Sequence, residues 1–120
     1  MTADERQFLL TTAWLFTRHG QRARARILME ALVEDDPREC VAAIAFAEQL
    51  LESGEATRAL EVLRMAEVTP ALAHAEAVLE SRALRLAGKV RESEARWRRF
   101  LESRKGAARR WVGGGAANDD

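Results

Sequence analysis

Three glycines set the frame of this chain. Gly20, Gly54 and Gly88 stand 34 residues apart twice over, and an internal period of that length restricts the architecture more than any single motif does. Registered on the glycines, further columns align. Four residues before each stand Phe16, Leu50 and Leu84, and seven before stand Ala13, Ala47 and Ser81. Five after stand Ala25, Ala59 and Ser93, nine after stand Met29, Leu63 and Trp97, and twelve after stand Leu32, Ala66 and Phe100. Each glycine falls where one helical pattern ends and the next begins. Tyr is absent, Pro occurs twice, and Ala, Leu, Glu and Arg dominate, which is a helical composition. No window alternates apolar and polar residues for long enough to suggest a strand.

Local chemistry predicts helices over about 4–18, 22–34, 37–52, 55–67, 70–86 and 89–104. Asp4 is the expected N-cap of the first, with Gln7 as its capping-box partner. Asp36-Pro37 followed by Glu39 offers a cap, an N1 proline and a box to the third, and Thr69-Pro70 starts the fifth in the same way. The glycines supply the turns. The stretch GAARRWVGGGAANDD is rich in Gly and Ala and ends in two acids. The expected division is therefore a helical domain over 1–105 and a flexible tail over 106–120, with Trp111 a loose tail residue.

This pattern resembles the tetratricopeptide repeat: two antiparallel helices, a small residue in each for close packing, and a turn between them. Pro37 stands at that family's repeat-ending position and Pro70 one residue early, while the family's helix-A Trp column reads Leu9, Ala43 and Ala77. The resemblance implies an all-α fold of three tandem tetratricopeptide-like helix hairpins, forming a short right-handed solenoid with a concave groove. The segment RQFLLTTAWLFTRHGQRARARILMEALVEDDP is similar to something narrower. It carries Phe8-Leu9-Leu10, Trp14-Leu15, Gly20, Arg24-Ala25, Leu28-Met29, Ala31-Leu32 and Pro37. With ARWRRFLESRK near the end, it resembles the small Y-type chaperones of bacterial type III secretion, the SctY/YscY family, over the first third and the last helix. That resemblance implies a cytoplasmic, non-enzymatic chaperone of a bacterium. Its partner in a heterodimer would be a helical segment of a SctX-type secretion substrate. A similarly built chaperone for translocators or the needle subunit, and a general scaffold or homodimer, are the alternatives.

Composition excludes other classes. Charged residues balance at 19 and 19, so net charge gives no reason to expect a nucleic-acid or membrane partner. Their distribution is uneven: ten acids and three bases between Glu30 and Glu67, then nine bases and three acids between Lys89 and Trp111. The basic last helix lacks the aromatic interleaving that stacking on bases uses. A single cysteine, Cys40, leaves no intramolecular disulfide and fits a reducing compartment. It is expected as a small buried residue. The charged start MTADERQ and the short, broken apolar run after it fit neither a signal peptide nor a membrane span. His19 and His74 are far apart and in no metal-ligand spacing, and Gly88-Lys89 lacks the upstream glycine of a phosphate loop. No catalytic, metal or cofactor site is expected.

What remains is a surface. FLLTTAWLF, residues 8–16, is apolar most of the way round. Leu9, Ala13 and Phe16 belong to the repeat core, with Thr12 beside them. Gln7, Leu10, Thr11, Trp14 and Arg18 lie about 100° away on the same helix. The same positions are Val41, Ile44, Ala45, Glu48 and Glu52 in the third helix, and Ala75, Val78, Leu79, Arg82 and Leu86 in the fifth. Leu10, Trp14, Val41, Ile44, Val78 and Leu79 form an apolar strip worth on the order of 10 kcal/mol gross if buried by a partner. Trp14 is its expected anchor. Arg18, Glu48, Glu52 and Arg82 edge the strip. Phe8 and Leu15 complete the expected binding set, as apolar residues of a terminal helix with no repeat in front. At the other end the last helix caps itself, since only Val90, Trp97, Phe100 and Leu101 form an apolar stripe on it.

Overall fold

The glycine turns repeat bond for bond. In the computed structural model, which describes residues 1–119 and the side chains through Trp111, Gly20, Gly54 and Gly88 have φ of 74°, 77° and 81°. Among the described residues no non-glycine has a positive φ. The amide of the residue after each glycine reaches back to the helix: Gln21 N–H donates to the Phe16 carbonyl, Glu55 to Leu50 and Lys89 to Leu84, each at 2.8 Å. The glycine amides donate to the carbonyls of Thr17, Leu51 and Arg85 at 3.2, 3.0 and 3.0 Å. This pair of bonds is the Schellman ending. A Cβ at any of the three glycines would meet nothing within 4 Å, so the left-handed φ demands glycine rather than lack of room.

Between these turns the described chain is all helical, with no strand. The elements are α1 (Ala3–Arg18), α2 (Arg22–Asp35), α3 (Cys40–Glu52), α4 (Ala56–Met65), α5 (Ala73–Leu86) and α6 (Val90–Asp119). One turn of 3₁₀ helix, Pro70–Leu72, precedes α5. The short glycine turns fold α1 on α2, α3 on α4 and α5 on α6, and α2 with α3, α4 with α5 and α3 with α5 join the three hairpins. No described helix is long and apolar enough to cross a membrane.

Small residues let the helices of each hairpin close up. Ala13, Ala25, Ala47 and Ala59 are fully buried, and in the third hairpin Ser93 takes the place of an alanine. Its hydroxyl donates to the Ser81 carbonyl at 2.7 Å, so the polar version of the column is satisfied across the hairpin. The core is centred on α3, whose Phe46 and Leu50 are, with Leu32 of α2, the largest fully buried side chains. Cys40 is buried as a free thiol at the start of α3.

Helix starts differ from the expected ones. Thr2 rather than Asp4 caps α1: its hydroxyl accepts from the Glu5 amide at 3.1 Å, and Asp4 sits in the first turn, where its charge suits the helix dipole. The third helix starts at Cys40, not Pro37. The Glu39 carboxylate accepts from the Ala42 amide at 3.2 Å, and Asp36 instead accepts from the Arg38 amide. Arg38 is held out of the helix because its carbonyl accepts from the Glu67 amide at 2.8 Å, tying the entry of α3 to the exit of α4. Thr69 makes no side-chain cap, and Pro70 opens the 3₁₀ turn instead of α5. The last helix continues past 104 into the stretch expected as a tail. Arg104, Lys105, Ala107, Ala108, Arg109 and Arg110 are all good helix formers, and Gly106 alone interrupts them. Trp111 is 77% exposed, and Asp120 lies outside the described residues.

Candidate functional site

Helix periodicity on α1 and α3 lines an apolar cavity of about 320 Å³. Gln7, Leu10, Thr11 and Trp14 line it from α1, Val41 and Ala45 from α3, and Met29 of α2 forms part of its wall. Six of these seven lie on the two helix faces expected to carry a partner. Met29 was assigned only to the repeat core; at 4% exposure it belongs there, and its side chain also borders the cavity. Trp14 is 52% exposed, with the Arg18 guanidinium 4.8 Å above its ring. That cation–π contact holds a large aromatic surface and a charge together at the mouth. Val41 is exposed, while Leu10 and Ile44 are half-buried and rest on the core.

The rest of the expected set does not join this cavity. Leu79 is a correction: it is 6% exposed and part of the hydrophobic core. The 34-residue register explains why. Leu79 stands where α3 has Ala45, so the larger side chain packs into the position that Ala45 leaves open. Val78 is half-buried beside it, and Glu48 and Arg82 are exposed. The apolar strip across three helices is thus a notch between two. Phe8 and Leu15 are exposed, but Phe8 lines a separate hollow with Asp4, Glu5 and Leu9. On α1 Phe8 is turned roughly 120° from Trp14.

The acidic run between Glu30 and Glu67 is largely neutralised from within. Arg6 meets Asp35 at 2.8 Å, Arg22 meets Glu52 at 3.1 Å, and Arg58 pairs with Glu30. Arg26 holds Glu55 at 2.9 Å, which lowers that carboxyl's pKa. These pairs stitch neighbouring helices together rather than offering an acidic docking face.

A second cluster was not foreseen. Glu76 and Glu80 of α5 both bond Arg96 of α6, with Arg96 Nε donating to Glu80 at 2.8 Å. Glu76 is 5% exposed. Burial pushes its carboxyl up to about 7, helped by the hydrogen bond to Glu80 and by that group's charge, against Arg96. Burial acts on Glu80 too, but the hydrogen bonds from Glu76 and Arg96 outweigh it and lower that pKa. The cluster borders a cavity of about 480 Å³ between α4, α5 and α6, whose other charged lining is Arg64 and Arg99. A signal was present in the sequence: Glu76 stands 34 residues after Ala42, at a core position of the repeat. With its carboxylates already bonded to Arg96, the cluster serves to dock α6 on α5.

No protein-family model matches the chain, and no curated protein matches it.

Proposed function

We propose that this chain is a tetratricopeptide-type binding protein whose three hairpins stack as a short right-handed solenoid, and that it acts as a cytoplasmic, non-enzymatic chaperone in bacterial type III secretion. Its resemblance to the SctY/YscY family gives the client: a helical segment of a SctX-type export-apparatus protein, held in a heterodimer. The bond-for-bond recurrence of the Gly20, Gly54 and Gly88 turns supports the repeat. The single observation that carries the binding reading is the apolar notch between α1 and α3, with Trp14 half-exposed beside Leu10 and Val41. An amphipathic helix laid into such a notch anchors through a few apolar side chains at helical spacing, and Trp14 with Arg18 over it has the composition of an interface hot spot.

Co-expression with a tagged SctX-type protein tests this. Recovery of a one-to-one complex is expected, with Trp14→Glu and Val41→Glu each weakening it about 30-fold or more while helix content is retained. Failure to recover any complex overturns the chaperone reading, and undiminished binding by both variants overturns the notch as its site.

A further inference from the structure

The face of α1 that carries Phe8 is the one its repeat neighbours bury. Phe8 stands 34 residues before Ala42 and 68 before Glu76, which are 1% and 5% exposed. Leu15 stands in the same way before Gln49, half-buried, and Ala83, fully buried. In α3 and α5 the hairpin in front covers these positions. Among the described residues no helix lies over this face of α1, which presents Phe8 at 70% and Leu15 at 44% exposure.

The same face has a seam. Asp4, Phe8, Thr11, Leu15 and Arg18 follow one another at intervals of four, three, four and three, the spacing by which one helix packs along another. Read in reverse, the seam is its own complement: Asp4 answers Arg18, Phe8 answers Leu15, and Thr11 answers itself. A partner of unrelated sequence would give no reason for the two ends to mirror each other in charge. We propose that α1 pairs antiparallel with α1 of a second copy, about a two-fold axis at Thr11. Such an interface is isologous and closed, each contact occurring twice. Asp4 meets Arg18 of the other copy, Phe8 packs on Leu15, and the two helix dipoles run in opposite directions. Val41 lies on α3, outside the seam, whereas Thr11 and Arg18 belong both to the seam and to the edge of the notch.

Sedimentation equilibrium of the full chain across the micromolar range reads this directly. The expected species has twice the 13.4 kDa chain mass. Phe8→Glu raises the dissociation constant about 30-fold or more, with helix content unchanged by circular dichroism because the side chain is exposed. Asp4→Arg and Arg18→Asp each place like charges together twice and weaken the homodimer about 3- to 10-fold. Mixed in equal amounts, these two variants form a heterodimer with the wild-type affinity, because only in the mixture does each reversed charge meet its opposite. Val41→Glu leaves the dimer intact. A monomer at all concentrations overturns the proposal. So does a dimer indifferent to Phe8→Glu, a mixture as weak as its components, or a dimer lost with Val41→Glu.

Discussion

Helices α1 and α3 occupy the same place in successive hairpins and live in different surroundings. Of the residues of α3, seven are buried, whereas α1 buries Ala13 alone. The turns that end the two helices are the same to within a few tenths of an ångström in their hydrogen bonds. Local structure is therefore shared, and the difference comes from what lies on either side. One column makes the contrast plain. It reads Phe8, Ala42 and Glu76: an exposed aromatic, a buried methyl group and a buried acid in α1, α3 and α5. An apolar residue buried in the interior of a stack has its cover built in. On α1, where no described helix lies over it, the same position is open.

The sharpest way to break the comparison is to empty the middle of it. Phe46→Ala removes the largest fully buried side chain of α3 and should cost about 3–5 kcal/mol in urea unfolding. Next, Ala42→Phe gives α3 the residue that α1 carries at that register. With Ala42 fully enclosed, overpacking should cost about 1–3 kcal/mol by the same measurement. The acid in the third copy of the column sharpens the contrast through pH. The Glu76 carboxyl is raised to about 7 in the folded chain, above its ordinary 4.5. Its stabilising contribution is thus full below pH 4.5 and is lost as pH rises to about 7. Glu76→Gln cannot ionise, so it should match the parent at pH 4.5 and exceed it by about 1 kcal/mol at pH 8, read as thermal stability at both pH values. The smallest effect should come from Phe8→Ala. In dilute protein its unfolding free energy should stay within about 0.5 kcal/mol of the parent, since the ring is 70% exposed.

Much of this arrangement was legible in the sequence, for identifiable reasons. Turns were legible because a left-handed residue selects glycine strongly, and three of them at one spacing mark hairpin ends without reference to packing. The small columns at Ala13, Ala25, Ala47, Ala59 and Ser93 were legible for the same kind of reason: close helix approach tolerates little else. The faces of α1 and α3 that line the notch followed from 3.6-residue geometry. That geometry gives the direction of a side chain and not the distance to its neighbour. Leu79 was therefore read as surface, although it packs into the position that Ala45 leaves open. Phe8 and Leu15 were grouped with the notch because periodicity separates two apolar faces of one helix only when the neighbours on both sides are known. Helix starts were least legible. Thr2 with Glu5 and Asp4 with Gln7 are competing caps of similar quality, and the bond from Glu67 to Arg38 that delays α3 joins residues far apart in sequence. The Glu76, Glu80 and Arg96 cluster was missed because it joins two acids of α5 to an arginine of α6, a pairing that the period of either helix alone does not reveal.

The wiring of the hairpins also bears on how the chain reaches this state. Its main contacts between helices join hairpins adjacent along the chain, and none of those pairs α1 or α2 with α5 or α6. Such local connectivity favours rapid folding, with order spreading from one hairpin to the next. On the ribosome, α1 and α2 emerge before α3, which packs on α2. The first hairpin must therefore wait, with the core face of α2 that carries Met29 and Leu32 open, until α3 has been made. Nascent chains halted just after α2 should be far more open to protease than chains halted after α4.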